Sequence, residues 1–148
     1  GSGLPPGIDV DPPPSPRSWQ YSGTWYDPAR SGEGWILQQS WSPVTGLVGV
    51  VWFTYDHEGR ALWLVGAAVE NDGVLSVELY RTSGTRFGED FDATEVQRSR
   101  FGTLRFAFEG CDRAAVQFTP ADLAYDALNL DLVRLTKPDV VFQPCAPP

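Results

Sequence analysis

Between Leu47 and Glu70 the chain reads LVGVVWFTY, then DHEG, then RALWLVGAAVE. Two β-prone runs this close together fold back on each other as an antiparallel hairpin, and Gly59 stands where a bulged type I turn wants its left-handed residue. If Asp56 and Arg60 flank the turn, the register follows: Phe53 lies opposite Trp63, Tyr55 opposite Ala61, and Trp52 opposite Leu64. Val51, Phe53, Tyr55 and Trp63 then share one face, while Val50, Trp52, Thr54, Leu62 and Leu64 share the other. Both faces are apolar. A sheet with one solvated face alternates apolar with polar, so this hairpin is either covered on both sides or displays an aromatic platform.

The rest of the chain repeats the strand pattern. WILQQSW puts Trp35, Leu37, Gln39 and Trp41 on one face and Ile36, Gln38 and Ser40 on the other. NDG turns the chain into VLSVELYR (Val74 to Arg81), GTLRFAF and AAVQFT pair around EGCDR, and LNLDLVRL (Leu128 to Leu135) ends the series. Residues 82–100, TSGTRFGEDFDATEVQRSR, break the rhythm as a long loop with a short helix expected at Ala93 to Gln97. The count is seven strands, or eight if Ser18 to Tyr26 adds one, with no long helix between them. The expectation is an all-β antiparallel meander that hides its edges by closing as a small up-and-down barrel, calycin-like, or by pairing two sheets as a sandwich. The barrel is preferred.

A length of 148 residues is that of one ordinary domain. Residues 1–18 carry six prolines and no hydrophobic period, and read as a linker, with Gly1-Ser2 resembling a tag remnant. Residues 19–148 then form a single β domain. The prolines suggest a tether within a longer secreted or anchored polypeptide.

Cys111 and Cys145 are the only cysteines, too few and too far apart for a local zinc knuckle. A disulfide between them would tie the C-terminal tail to the EGCDR turn. It would close a loop of about 35 residues, worth roughly 3 to 4 kcal/mol. The alternative is two buried thiols. The disulfide reading implies the periplasm, the cell surface or the medium. With 11 Lys+Arg against 19 Asp+Glu, the net charge of −8 repels phosphate backbones and anionic membranes, so nucleic acid is not expected as a partner. Nor does any apolar run reach the roughly 18 residues of a membrane helix, and no membrane insertion is expected.

An aromatic content of 13% with six Trp is high, and a platform of such rings binds sugars or other planar ligands, the rings stacking on apolar faces while polar side chains fix hydroxyls. Trp35, Gln39, Trp41, Tyr55 and Trp63 are the candidate ligand contacts. The competing reading makes these rings the interior of a small barrel, which can itself hold a ligand. Asp27 and Glu33 flank Arg30 in SGTWYDPARSGEGW, where paired carboxylates suggest glycoside chemistry. A turn begun by Asp27-Pro28 and released by Gly32 and Gly34 accounts for the same residues. His57, the only histidine, falls at a hairpin tip, and GEDFDATE clusters Glu89, Asp90, Asp92 and Glu95 without the glycine that bends a calcium loop. Neither a nucleophile elbow nor a phosphate loop is present. No catalytic residues, cofactor or metal are expected. The function expected is a non-catalytic binding module for a glycan or small ligand, or else a module that binds another secreted protein through the 82–100 loop or a sheet edge.

Gly23-Thr24-Trp25-Tyr26 resembles the G-x-W entry motif of the lipocalin and avidin superfamily of small barrels. That resemblance implies an arginine from the last strand packed over the tryptophan, a structural role that falls here to Arg134 over Trp25. A broader resemblance is to poorly characterised bacterial secreted modules that run G-W-W/Y-x-P-x-x-S-G-x-G and then W-x-T-Y-D-x-x-G-x-x-x-W. The matching segments are Gly23 to Gly34 and WFTYDHEGRALW, Trp52 to Trp63. It implies a secreted β-rich module and brings no activity with it.

Overall fold

The computed structural model describes residues 21–39 and 47–136. They form eight strands: β1 (Gly23–Tyr26), β2 (Gly34–Gln39), β3 (Leu47–Tyr55), β4 (Ala61–Val69), β5 (Val74–Ser83), β6 (Gln97–Phe108), β7 (Arg113–Pro120) and β8 (Leu128–Arg134). Each pairs antiparallel with the next, and β8 returns to β1, so the meander closes as a barrel and the sandwich alternative falls. The linker at 1–18, Trp41 and Cys145 lie outside the described residues.

The β3–β4 hairpin has the register its sequence dictates, with Phe53 opposite Trp63, Tyr55 opposite Ala61 and Trp52 opposite Leu64. Its turn is closed by the Asp56 amide donating to the Arg60 carbonyl at 2.9 Å, and Gly59 takes φ +80°. The Asp56 carboxylate accepts from the Glu58 and Arg60 amides at 2.9 Å each. Arg60 amide bonding, the largest influence, holds that carboxyl below its usual value, helped by Glu58 and by the Arg60 charge.

Alternation decides what fills the barrel. Trp25, Trp35, Leu37, Val50, Trp52, Leu64, Leu79, Phe106, Val116 and Leu132 are buried inside, one or two from each strand. The hairpin's Trp52 face is therefore the inner one. Its Phe53 face looks outward.

One strand is longer than its sequence pattern indicates. β6 begins at Gln97 rather than Gly102, because pairing shifts between Leu79, opposite Gly102, and Tyr80, opposite Arg100. Phe101 is the extra residue of that bulge, and it is buried. The loop between β5 and β6 shrinks to 84–96, and the expected helix is a 3-10 turn over Ala93–Glu95, capped by Asp92 accepting from the Thr94 amide.

The β1–β8 seam closes the barrel. Trp25 is the register partner of both Arg134 and Trp35, and the Leu135 amide donates to the Thr24 carbonyl at 2.7 Å. Backbones approach so closely here that a Cβ on Gly23 would stand 2.0 Å from the Thr136 carbonyl oxygen. The glycine of the G-x-W pattern thus has a steric cause.

Candidate functional site

The five residues read from sequence as ligand contacts do not form one site. Trp35 lies inside the barrel, stacked on Trp52 with ring centroids 5.2 Å apart. Gln39 ends β2, where its amide donates to Ser22 Oγ at 3.0 Å and its buried Oε1 has no partner among the described residues. Tyr55 and Trp63 stand on the outside, 51% and 52% exposed, and Trp41 is outside the described residues.

The outer face carries more than those two rings. Phe53, 46% exposed, lies across from Trp63, and the next row along the strands pairs Ile36 with Val51, Val51 with Val65, and Val65 with Tyr80. Side chains two residues apart on a strand share a face, so Phe53, Tyr55, Trp63 and this row form one apolar surface over β2 to β5. Phe53 is absent from the set read from sequence, although the hairpin register alone puts it beside Trp63.

Tyr55 is anchored at the edge of this surface. Its hydroxyl donates to the Gly32 carbonyl at 3.0 Å, joining the β3 end to the turn between β1 and β2. That turn is a 3-10 turn over Pro28–Arg30, capped by Asp27 accepting from the Ala29 amide at 2.9 Å. Arg30 pairs with Glu33 at 2.9 Å, and Thr54 Oγ1 donates to Glu33 Oε2 at 2.6 Å. Hydrogen bonding to Glu33 raises the Arg30 guanidinium above its usual value, against a smaller effect of burial. Asp27 and Glu33 are thus both engaged in holding the turn.

Inside, aromatic rings run from the barrel centre to one mouth. Trp52 meets the edge of Phe118 at 5.1 Å, Phe118 stacks on Phe101 at 5.5 Å, and Phe101 contacts Tyr125 at 4.7 Å. Tyr125 stacks on His57 at 4.6 Å, and His57 Nε2 donates to the Ala124 carbonyl at 2.6 Å. His57 therefore pins the β3–β4 turn to the 121–127 loop. The indole N–H groups of Trp35 and Trp52 have no acceptor among the described residues.

The opposite end is closed by Tyr21, Trp25, Phe108 and Arg134. Tyr21 stacks on Phe108 at 3.7 Å, and the Trp25 indole donates to the Tyr21 carbonyl at 2.9 Å. The Arg134 guanidinium carbon sits 5.2 Å from the Trp25 ring centroid, within cation–π range. Its two terminal nitrogens donate to the carbonyls of Cys111 and Ser22, at 2.9 and 2.5 Å. Burial lowers the Arg134 guanidinium from its usual value, opposed by the nearby Asp112 and Tyr21. No free cysteine occurs among the described residues. Because Cys145 lies outside them, its pairing with Cys111 belongs with the proposals below.

The acidic GEDFDATE segment is organised by its own turns. Asp92 accepts from the Thr94 hydroxyl and amide, which lowers its carboxyl from the usual value, and Glu95 lies 3.9 Å from Arg86. Among the described residues no group of three or more His, Cys, Asp or Glu side chains is placed to hold a metal ion, and no helix is long and apolar enough to cross a membrane. Searches of protein-family models, curated proteins and solved structures find no match to this chain.

Proposed function

We propose that this chain is a non-catalytic binding module of a secreted or cell-surface bacterial protein, and that its outer aromatic face receives a glycan or another small ligand with an apolar ring face. One observation carries the reading: Phe53, Tyr55 and Trp63 are about half exposed, at 46%, 51% and 52%, on a wall whose inner side is already filled. Rings that the core does not use cost solubility unless something covers them. Flat rings on a sheet suit sugar faces. A disulfide between Cys111 and Cys145 is part of the proposal and would form in an oxidising compartment, and the likeness to secreted modules points to the same location. Tryptophan-fluorescence titration and a glycan array test the reading, with Trp63→Ala abolishing the signal. A blank array, together with no fluorescence response to small ligands that carry an apolar ring face, overturns it.

A second reading has its own observation. Phe87 is 98% exposed and Phe91 58% exposed on the 84–96 loop, which favours a protein-binding role for that loop. Capture of a secreted partner that survives Phe87→Ser and Phe91→Ser counts against it.

A further inference from the structure

We infer that the outer aromatic face takes an acidic glycan, one whose sugar rings carry carboxylate groups; this rests on the glycan reading and names its substrate class. The outer face of β6 presents Arg98, Arg100 and Arg105, because these residues pair across β5 with Thr82, Tyr80 and Ser76, all on the side away from the buried Leu75, Val77 and Leu79. Tyr80 continues the row that runs through Val65 and Val51 to Ile36. Rings and arginines therefore lie side by side on one surface. Strands stand about 4.8 Å apart, so β4 and β6 are separated by roughly 10 Å, which the length of an arginine side chain and one sugar ring can span.

The arginines differ in what they already hold. Arg100 is 3.4 Å from Glu78 and donates to Thr103 at 3.2 Å. Arg98 and Arg105 have no hydrogen-bond or ion-pair partner among the described residues. Arg98 is exposed and pairs across the ladder with Thr82, so its guanidinium is available to a carboxylate beside the aromatic rows.

A net charge of −8 opposes the approach of an acidic polymer at long range. At physiological ionic strength, however, the Debye length is about 8 Å, so charges on the contact face outweigh distant ones. On the outer side of β5 and β6 the acidic residue is Glu78, and it is paired with Arg100. The acids of the 84–96 loop follow Ser83, beyond the Arg98 end of the ladder. Of these, Asp92 is occupied by Thr94 and Glu95 faces Arg86.

The test compares three polymers by titration against the full chain. Polygalacturonate offers sugar rings with carboxylates, its methyl ester the rings without charge, and poly-glutamate the charge without rings. The expected result is binding to polygalacturonate that weakens with added salt and falls about tenfold or more both for Trp63→Ala and for Arg98→Ala. The ester and poly-glutamate bind at least about tenfold more weakly. Equal binding of acid and ester, unchanged in Arg98→Ala, overturns the acidic class and leaves the glycan reading standing. Poly-glutamate bound as tightly as polygalacturonate, and unaffected by Trp63→Ala, overturns the class by showing a bare charge contact. If neither polygalacturonate nor its ester binds and glycan arrays are blank, both readings fall together.

Discussion

Trp63 and Leu64 are adjacent in sequence and lie on opposite sides of the barrel wall: the Trp63 ring is 52% exposed while Leu64 has no exposure at all. The β3–β4 register places their partners, Phe53 and Trp52, in the same opposition. Energetically, one large side chain of each pair belongs to the fold and the other is free for contact.

Stability is therefore expected to separate the two faces. Trp52→Ala removes a buried ring stacked on Trp35 and set against Phe118, and is expected to cost about 3 to 5 kcal/mol. Trp63→Ala, on the half-exposed outer side, is expected to cost no more than about 1 kcal/mol. Urea denaturation of both variants checks this, and a Trp63→Ala cost matching that of Trp52→Ala would show the outer ring to be structural.

The same opposition shows what can be read from the sequence. The hairpin register is legible because a short turn of known type fixes it. Across SPVTG the turn leaves the β2–β3 register open, and a slip of one residue exchanges inner and outer faces. Sequence alone therefore groups Trp35 with Tyr55 and Trp63. In the structure Trp35 pairs with Trp52, not Phe53, and so faces inward. The bulge hides a second piece: Phe101 interrupts the alternation, so Gln97 to Arg100 look like loop although they are strand. The arginine ladder is hidden with them. Closure at β1 is legible in the need to hide two sheet edges, but the strand itself is only weakly so, since four residues carry almost no periodicity.

The buried tryptophans are expected to respond differently to loss of the indole N–H. In Trp25 that group donates to the Tyr21 carbonyl, and the ring lies under Arg134. In Trp35 it has no acceptor among the described residues. Trp25→Phe forfeits a hydrogen bond and weakens the cation–π attraction to Arg134, whereas Trp35→Phe removes a buried unpaired donor as well as volume. Trp25→Phe is expected to be the more destabilising by about 1 to 3 kcal/mol. Chemical denaturation of the two variants measures the difference, and a reversed order would mean that the Trp35 indole has an acceptor in solution.

Acid stability is expected to depend on Asp56. Its carboxyl is held below the ordinary 3.8, first by the Arg60 amide and then by Glu58 and the Arg60 charge. A folded value below the unfolded one means that the stabilisation is fully present above the unfolded value and is lost as pH falls through the folded one. The thermal midpoint of the unaltered protein is thus expected to exceed that of Asp56→Asn at neutral pH, and the gap to narrow as pH falls below 3.8. A gap constant from neutral to strongly acid solution would show that the charge on Asp56 does not matter to the turn.

Two glycines with positive φ separate conformational strain from close contact. Gly59 sits at φ +80° with no atom within 4 Å of where a Cβ would stand, so Gly59→Ala meets only the intrinsic left-handed penalty, about 1 kcal/mol. Gly23 sits at φ +135°, and a Cβ there would stand 2.0 Å from the Thr136 carbonyl oxygen. That oxygen belongs to backbone held at the seam, where the Thr24 amide donates to the Thr136 hydroxyl at 3.0 Å and the Leu135 amide to the Thr24 carbonyl at 2.7 Å. Gly23→Ala must therefore part β1 from the tail of β8 and release Trp25 from Arg134. The expected cost exceeds that of Gly59→Ala by about 2 kcal/mol or more, with faster amide exchange at Leu135 and Thr136. Equal costs for the two substitutions, with exchange at the seam unchanged, would mean that closure does not depend on the glycine of the G-x-W pattern.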